Sequence, residues 1–354
     1  MSCRSNTEVQ FLWRDRSIHS DFRSGVSLHS HTMYSEESLD VIPRWAVGYG
    51  RRDLRNGFWT PPLTPRQAYR LEQKQIEAMF QLQGLVSLTD HDAIRGTVLL
   101  RVLEGFQNAP ISTEWTVPFG PTFFHIGVHN LPPAQANTIM EELTHFTSCP
   151  EARKLHRLLA MLSSEPNLLL VLNHPLWDEE GVGRTQHLRH LRELLEQYGQ
   201  HLHALEVNGL RSWSENERVI RMGHEAGLPV IAGGDRHGLE PNAILNLSRA
   251  TTIDEFVEEV RVRRFSHLVF MPQYRQPRRV RILHTIIDVL RDYPNGFEGR
   301  RSWPERVFYR DPESKAALSF ATVDGGVSVR LIKRLVTAMQ LIDKRPPSAI
   351  LTSA

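Results

Sequence analysis

The chain has little cysteine, no long apolar run and almost no net charge. Its 354 residues include two cysteines, Cys3 and Cys149, which lie far apart and lack a CxxC spacing. That argues against a disulfide framework or a zinc-thiolate site and suits a reducing compartment. A formal net charge of +2 does not by itself require a nucleic-acid partner. Since no apolar run reaches the roughly 18 residues of a membrane-spanning helix, we expect a cytoplasmic protein that does not enter a membrane.

Short clusters of histidine and carboxylate residues recur along the first two thirds of the chain, each at the end of an apolar run. They read VSLHSHTMYSEES, GLVSLTDHDA, ISTEWT, TFFHIGVH, LLLVLNHP and VIAGGDRHG. An apolar run that stops at a histidine or aspartate predicts a buried strand that delivers a polar side chain to its exit. Because six such strands can point at one place, the pattern predicts a hydrolytic site that holds several metal ions.

Helical patterns alternate with these strands. Thr64 and Pro65 open one helix, with threonine as the N-cap and proline at the first helical position. Further helices are predicted near 94–106, 133–146, 151–162, 188–198 and 214–226. Repeated βα units predict a parallel sheet. Polar residues of one chemical type follow many strands and no GxGxxG follows the first, so a closed or nearly closed barrel is favoured over an open doubly wound sheet.

The first two clusters have the spacing of metal ligands. His29 and His31 lie two apart, so on a strand their side chains share one face and can bind the same ion, and Glu36 is close enough to add an oxygen. In TDHD, His91 follows Asp90 at a strand exit. A histidine beside carboxylates fits both metal ligation and the orientation of an imidazole by a carboxylate, although an ordinary turn capped by aspartate would read the same way.

The ordered set of motifs resembles the PHP (polymerase and histidinol phosphatase) family. HSHT with an acidic residue shortly after it, TDHD, a glutamate on the third strand, HIGV, NHP and GGDRHG occur in that order within residues 21–271. The resemblance implies a distorted seven-stranded β/α (TIM-like) barrel with a two- or three-metal centre. We therefore expect an N-terminal extension (1–20), a PHP-like domain (21–275) with an insertion at about 41–63, and a mostly helical C-terminal region (276–354).

The resemblance also implies the ligands. They are His29, His31, Glu36, His91, Glu114, His125, His174, Asp235 and His237, a set that would suit three ions. Glu36 departs from the family, which usually has aspartate or histidine there, and Asp90 supports the ligands from beside them. Imidazole and carboxylate without thiolate favour manganese, zinc or iron and do not choose among them. The expected reaction is hydrolysis of a phosphoester by a metal-activated water.

Arginine and tryptophan residues bear on the substrate. Arg236, between two expected ligands, either binds a substrate phosphate or forms a salt bridge. Residues 261–281 contain seven arginines and no acidic residue, and the insertion carries arginines and tryptophans. Guanidinium groups pair with phosphates and aromatic rings stack on bases, which favours a nucleotide or nucleic-acid end over other phosphorylated small molecules. A solvated face or internal ion pairs would explain the arginine run equally well.

Two other functions remain open on the sequence. A metal-dependent amidohydrolase also begins with an HxH on the first strand of a barrel, but the TDHD and Glu114 clusters and the lack of a lysine bridge favour the phosphoesterase. A metal-stabilised interaction module without catalysis is the other alternative. Because the expected ligand set is complete, an active enzyme is favoured over that module. The sequence names no protein partner.

Overall fold

The computed structural model describes residues 6–39, 57–294, 296–310 and 316–319. Its strands are β1 (Asn6–Phe11), β2 (Ser24–Ser27), β3 (Glu37–Ser38), β4 (Gly57–Trp59), β5 (Gln83–Val86), β6 (Ile111–Phe119), β7 (Thr122–Leu131), β8 (Leu169–Leu172), β9 (Ala204–Asn208), β10 (Val230–Gly233), β11 (Ile244–Ser248), β12 (Phe265–Phe270), β13 (Val307–Arg310) and β14 (Ala317–Ser319). Its α-helices are α1 (Pro65–Phe80), α2 (Arg95–Arg101), α3 (Ala136–Ser148), α4 (Ala152–Ser164), α5 (Arg184–Tyr198), α6 (Trp213–Ala226), α7 (Ile253–Arg261), α8 (Arg278–Leu290) and α9 (Trp303–Arg306).

The start of α1 follows from its sequence. The Thr64 hydroxyl accepts a hydrogen bond from the Gln67 N–H, and the Gln67 side chain accepts one from the Thr64 N–H. This reciprocal capping box satisfies two backbone donors that the first turn would otherwise leave unpaired. Pro65 occupies the first helical position, where its missing N–H costs nothing. The predicted start of this helix is confirmed.

Three sheets organise the described strands. The first sheet has the order β1-β12-β11-β2-β5, the second has the order β10-β9-β8-β7-β6, and the third, smaller sheet has the order β14-β13-β4-β3. Two isolated parallel bridges, Ser30 with Arg236 and His91 with Glu114, bring strand ends of the first and second sheets together. These bridges lie at the histidine and carboxylate clusters.

The predicted seven-stranded TIM-like barrel is wrong. The sheets contain four or five strands each, and none closes into a barrel. A barrel of βα units needs a helical crossover between successive parallel strands. Here β6 and β7 form an antiparallel hairpin joined at Gly120, which has φ +63°, and β11 runs antiparallel to both β2 and β12. These reversals replace crossovers that the repeated βα pattern predicted.

The largest apolar core lies between the second sheet and helices α3 to α6. Helix α4 shows how the sequence builds it, because its buried leucines recur at helical spacing: Leu155, Leu158, Leu159 and Leu162. Each such side chain stabilises the fold by about 1.5–3 kcal/mol when it leaves water. The core thereby holds the strands whose residues form the polar clusters.

The chain ends contribute strands as well as helices. Residues 6–11, within the expected extension, form β1 and pair in parallel with β12. In the C-terminal region α8 and α9 are followed by β13, which pairs with β4 of the expected insertion. Most of that insertion, residues 40–56, lies outside the described residues. Among the described helices, none combines the length and the apolar character needed to cross a lipid bilayer.

Candidate metal centre

Six strands or the turns that follow them bring imidazoles and carboxylates into one buried cluster. The described residues include four groups of three potential ligands, and within each group the ligand atoms lie within 4.8 Å of one another. The residues in these groups are His29, His31, Glu37, His91, Glu114, His125, Asp235 and His237. We call this cluster, together with His174, the metal centre.

Glu114 lies in the middle of the metal centre and is fully buried. Its Oε2 lies 2.9 Å from the His29 Nε2 and 3.4 Å from the His31 Nε2. Its Oε1 lies 3.0 Å from the His174 Nε2 and 3.4 Å from the His125 Nδ1. The His91 Nε2 lies 3.5 Å from Oε2, so one oxygen of this carboxylate faces three imidazoles and the other faces two, an arrangement that suits a ligand between two metal ions.

Asp235 faces His29 and His31 from beside the Glu114 Oε2. Its Oδ1 lies 3.5 Å from the His31 Nε2 and 3.8 Å from the His29 Nε2. Two imidazoles and two carboxylates thus face a common point. Such a donor set without thiolate suits manganese, zinc or iron.

Glu37 is the centre of a further group with His91 and His237, which we call the third ligand group. The Glu37 Oε2 lies 3.3 Å from the His237 Nε2 and 3.4 Å from the His91 Nε2. Its Oε1 is buried, forms no hydrogen bond with the described residues and lies 3.6 Å from the His31 Nδ1. An acceptor of this kind is costly unless a cation or donor satisfies it, so this group also fits a metal ion.

The structure corrects the expectation for Glu36. Its side chain is 44% exposed and forms an ion pair with Arg310, outside the metal centre. Glu37 takes the expected place, because it occupies β3 opposite Trp59 and is buried, whereas Glu36 precedes the strand. Glu37 is the ligand candidate that sequence reasoning missed, although its position beside another glutamate was a usable signal.

The orientation of His29 supports a bound cation. Its Nδ1 lies 2.7 Å from the Glu206 Oε2, so the carboxylate accepts the Nδ1–H and leaves a lone pair on Nε2 in the neutral ring. That Nε2 lies 3.1 Å from the His31 Nε2. Two ring nitrogens at this distance, both beside the Glu114 carboxylate, need a proton or a metal ion between them. Glu206 thus orients the imidazole of a candidate ligand.

The pKa shifts show that the carboxylates of the metal centre favour positive charge on the imidazoles beside them. Burial opposes ionisation of Glu114, but the charges of His29 and His91 lower its pKa well below the ordinary value. Burial likewise opposes charge on His29, yet the Glu114 and Glu206 carboxylates raise its pKa well above the ordinary value. Burial also disfavours the charged form of His237, but Glu37 raises its pKa to about 9. Protons on these imidazoles balance the carboxylates, and divalent ions can replace them.

Asp90 supports the loop that follows His31. Its two carboxylate oxygens accept hydrogen bonds from the Thr32 N–H at 2.6 Å and the Thr32 hydroxyl at 2.9 Å. Burial raises the pKa of Asp90 to about 7. Asp90 is absent from the potential ligand groups found among the described residues, so it positions the HSHT segment instead of binding an ion.

Of the two interpretations of Arg236, a phosphate contact or a salt bridge, the structure shows a salt bridge, and it is buried. The Arg236 Nε lies 3.2 Å from the Glu72 Oε1 in an ion pair where both side chains are nearly inaccessible, and an Nη donates to the Gln75 Oε1 at 2.9 Å. Glu72 also accepts from the Ser30 hydroxyl at 3.0 Å. Ser30 lies between His29 and His31, and Arg236 lies between Asp235 and His237. Glu72 on α1 therefore contacts both segments that carry candidate ligands.

Two of the candidate ligands have a strained backbone. His174 has φ +27° and Asp235 has φ +55°, both in the left-handed region that non-glycine residues rarely adopt. The His31 N–H donates to the Arg236 carbonyl at 2.8 Å, which helps to hold the second of these turns. Strain of this kind concentrates where a site over-determines its backbone.

The arginine run from 261 to 281 is largely occupied by contacts within the chain. Arg261 donates to the backbone carbonyls of residues 163, 165, 166 and 168, and Arg281 donates to those of residues 209, 211, 274 and 276. Arg264 donates to the Gly227 carbonyl. These side chains anchor loops. The insertion arginines at 44, 51, 52 and 55 lie outside the described residues.

Comparisons with known proteins do not identify the family. No family model and no curated protein matches the chain. An amidohydrolase structure from Chromobacterium violaceum, with bound sulfate and no metal, is 15% identical with a TM-score of 0.35, covering 60% of this chain and 87% of that one. A candidate metal-dependent phosphoesterase from Bifidobacterium adolescentis is 14% identical with a TM-score of 0.38, covering 69% and 96%. Likeness this weak carries no functional argument, and membership of the PHP family stays a prediction.

Proposed function

We propose that this protein is a hydrolase that cleaves phosphoesters with two or three divalent metal ions. The observation that carries the proposal is Glu114, whose Oε2 faces three imidazoles and whose Oε1 faces two in a buried cluster. Two ions bridged by a carboxylate lie about 3.5–4 Å apart, the separation that suits in-line displacement at phosphorus. The Glu37 group adds a third candidate position.

The residues of the chain have separable tasks in this proposal. His29, His31 and Asp235 would hold one ion, His125 and His174 would hold another, and Glu114 would contribute an oxygen to each. When bound, the ions supply Lewis acidity and an activated water. Outside the ligands, Glu206 fixes the tautomer of His29 by accepting its Nδ1–H. Asn208 donates to Glu206 at 3.0 Å and to the Asp235 Oδ2 at 3.1 Å, which keeps both carboxylates in place.

A phosphoesterase is favoured over the amidohydrolase alternative by the type of bridging group. The lysines of the described residues are Lys74 on α1 and Lys154 on α4, and neither contacts the metal centre. No lysine of the described part is thus placed to bridge two ions, and Glu114 occupies the bridging position. Candidate metal positions lie at the two Glu114 oxygens and at Glu37. Ions at these positions could contact several oxygens of a phosphoryl group, whereas an acyl carbonyl offers one.

Neighbouring glutamates provide a matched test. Glu37→Gln should lower the metal content and reduce phosphate release by about 10- to 100-fold or more, because it changes a ligand candidate. Glu36→Gln removes the same charge one residue away, on the surface, and should leave both quantities within about 2-fold. Metal content by elemental analysis and phosphate release from a panel of phosphomonoesters measure the two effects.

The same panel tests the reaction class and the substrate. It should include nucleoside mono- and bisphosphates, histidinol phosphate, short single-stranded RNA and DNA, and acyl amides, each with manganese, zinc and iron. Cleavage of a phosphoester that is lost in His31→Ala supports the proposal. Cleavage of amides alone would assign the protein to the amidohydrolases, and metal binding without turnover of any substrate would favour a non-catalytic module.

A further inference from the structure

Arg211 has an unusual environment for an arginine. It lies in the loop after β9 with 6% of its surface exposed, and its guanidinium carbon is 3.9 Å from the centroid of the Trp177 ring. Its Nε is buried, and among the described residues it has no hydrogen-bond partner. A buried N–H without an acceptor is costly unless a ligand satisfies it.

The backbone of this residue is fixed from both sides. The Arg211 N–H donates to the Asn208 carbonyl at 3.1 Å. The Arg211 carbonyl accepts from the Tyr274 hydroxyl at 3.1 Å and from an Nη of Arg281 at 2.6 Å. Because these partners are themselves buried, the loop and the stacked side chain are set before any ligand binds. Such preorganisation lowers the entropic cost of binding.

Arg211 lies beside the metal centre on the side of His174. Trp177, on which it stacks, packs edge-on against the His174 ring with centroids 5.0 Å apart. Burial lowers the pKa of Arg211, whereas the charges of Glu215, Asp235 and Glu179, in that order, raise it, and the last two carboxylates contact histidines of the metal centre. Arg211 is therefore a buried cation beside carboxylates of the metal centre, with an Nε–H that no described residue accepts.

We propose that Arg211, backed by Trp177, binds the terminal phosphoryl group of a phosphomonoester substrate. The inference rests on the proposed phosphoesterase function and adds the residue that recognises the substrate. A guanidinium presents a rigid fork of donors that matches two phosphate oxygens and stays charged at every relevant pH. A fixed cation beside the metal centre adds to the attraction that bound metal ions would exert on an anionic substrate. A terminal phosphoryl group presents three unesterified oxygens and up to two negative charges, whereas an internal phosphodiester presents two oxygens and one charge, so the terminal group pairs better with this fork.

Inorganic phosphate is a suitable probe, because it has the chemistry of the terminal group and needs no turnover. The full-length protein is reconstituted with manganese and titrated with phosphate by calorimetry. Arg211→Met should weaken binding by about 10- to 100-fold, the range for losing a charge-assisted hydrogen bond. Arg211→Lys keeps the charge without the fork and should recover part of the affinity. Arg278→Met is the matched control, since Arg278 is exposed and donates to the neighbouring Leu210 carbonyl.

The outcomes separate this inference from the proposed function. Equal phosphate affinity for Arg211→Met and the wild type, at equal manganese content, overturns the inference, as does a wild type that binds no phosphate. Phosphate binding that depends on Arg211, in a protein that cleaves no ester, supports the inference and refutes the hydrolase. Comparing phenyl phosphate with a 5′-phosphorylated oligonucleotide then distinguishes the two sources of a terminal phosphoryl group, because the true substrate should show the larger rise in KM in Arg211→Met.

Discussion

The buried pair of Glu72 and Arg236 allows a quantitative test of how the metal centre is supported. Glu72 is fully buried on α1, and its carboxylate accepts hydrogen bonds from Ser27 and Ser30, each at 3.0 Å, and from Asn242 at 2.5 Å. The Arg236 Nε lies 3.2 Å from the same carboxylate. Glu72→Gln therefore removes one charge and leaves the Arg236 guanidinium buried without its counterion.

The expected magnitude follows from the burial. Removing one member of a buried ion pair costs about 3–5 kcal/mol, because the remaining charge is uncompensated. Glu72→Gln and Arg236→Met should each lower the free energy of unfolding by about 3 kcal/mol, the lower end of that range, since hydrogen bonds from Ser27 and Ser30 can persist. The double variant loses both charges together. Its destabilisation should also be about 3 kcal/mol, well below the sum of the single effects, giving a coupling of about 3 kcal/mol.

Urea unfolding of the four proteins in the presence of a chelator measures this cycle without a contribution from bound metal. Single effects that add to within about 0.5 kcal/mol would show that the two side chains do not interact, and would refute the reasoning. A stable Arg236→Met protein that has lost phosphate affinity would instead restore Arg236 as a substrate ligand. Since Ser30 lies between His29 and His31, the Glu72 variant should also bind manganese about 10-fold more weakly.

Individual contacts lead to three further predictions. The Leu170 N–H donates to the His203 Nδ1 at 2.9 Å, and burial lowers the pKa of His203 to about 3. Below about pH 6.5 the unfolded chain gains a proton there that the folded chain does not, so the wild type should lose about 2 kcal/mol more stability than His203→Asn between pH 7 and pH 5, and equal losses in urea unfolding would contradict this. A Cβ on Gly233 would lie 2.1 Å from the Glu206 Oε2, so Gly233→Ala should weaken manganese binding by about 10- to 100-fold in a calorimetric titration, whereas Gly199→Ala, whose Cβ meets only Leu195 at 4.0 Å, should not. Free manganese at about 100 times its Kd should raise the free energy of unfolding by about 2.7 kcal/mol, and an unchanged value after chelation would exclude a metal site in the folded protein.

Helices with strong apolar periodicity could be predicted closely from the sequence. The spacing in 151–162 predicts the helix that the structure shows at Ala152–Ser164, because four leucines on one face pack against the second sheet. The cap at Thr64 is equally local. These signals depend on residues within one or two turns, so no tertiary information is needed to read them.

The sheet topology could not be predicted, because the same apolar runs fit several pairings. Glu114 and His125 were expected near the ends of two successive strands, but β6 and β7 continue past them and form one long antiparallel hairpin. Both side chains still reach the metal centre, since Glu114 pairs with His91 across an isolated bridge. Clusters that follow apolar runs thus predict convergence of the side chains better than they predict the direction of the strands.

The difference between Glu36 and Glu37 has a non-local cause. Glu37 pairs with Trp59 between β3 and β4, and Trp59 in turn pairs with Val307 on β13. Arg310, at the end of the same strand, forms the ion pair with Glu36. The C-terminal region therefore decides which of two identical neighbouring side chains faces the metal centre. A sequence pattern around residue 36 cannot contain that information, because the deciding strand lies about 270 residues further along the chain.

This third sheet connects the C-terminal region to the strand that carries Glu37. Phe58 and Phe308 stack with ring centroids 5.3 Å apart, which stabilises the pairing of β13 with β4, the strand next to β3 and Glu37. Trp59, on the same short strand, packs against the His237 ring with centroids 5.8 Å apart. Two members of the third ligand group thus depend on contacts made by residues 57–59 and 307–310. Glu114 itself lies on the second sheet, and His31 contacts both Glu37 and Glu114. Loss of the third sheet should therefore remove the Glu37 position and weaken, to a smaller extent, metal binding at Glu114.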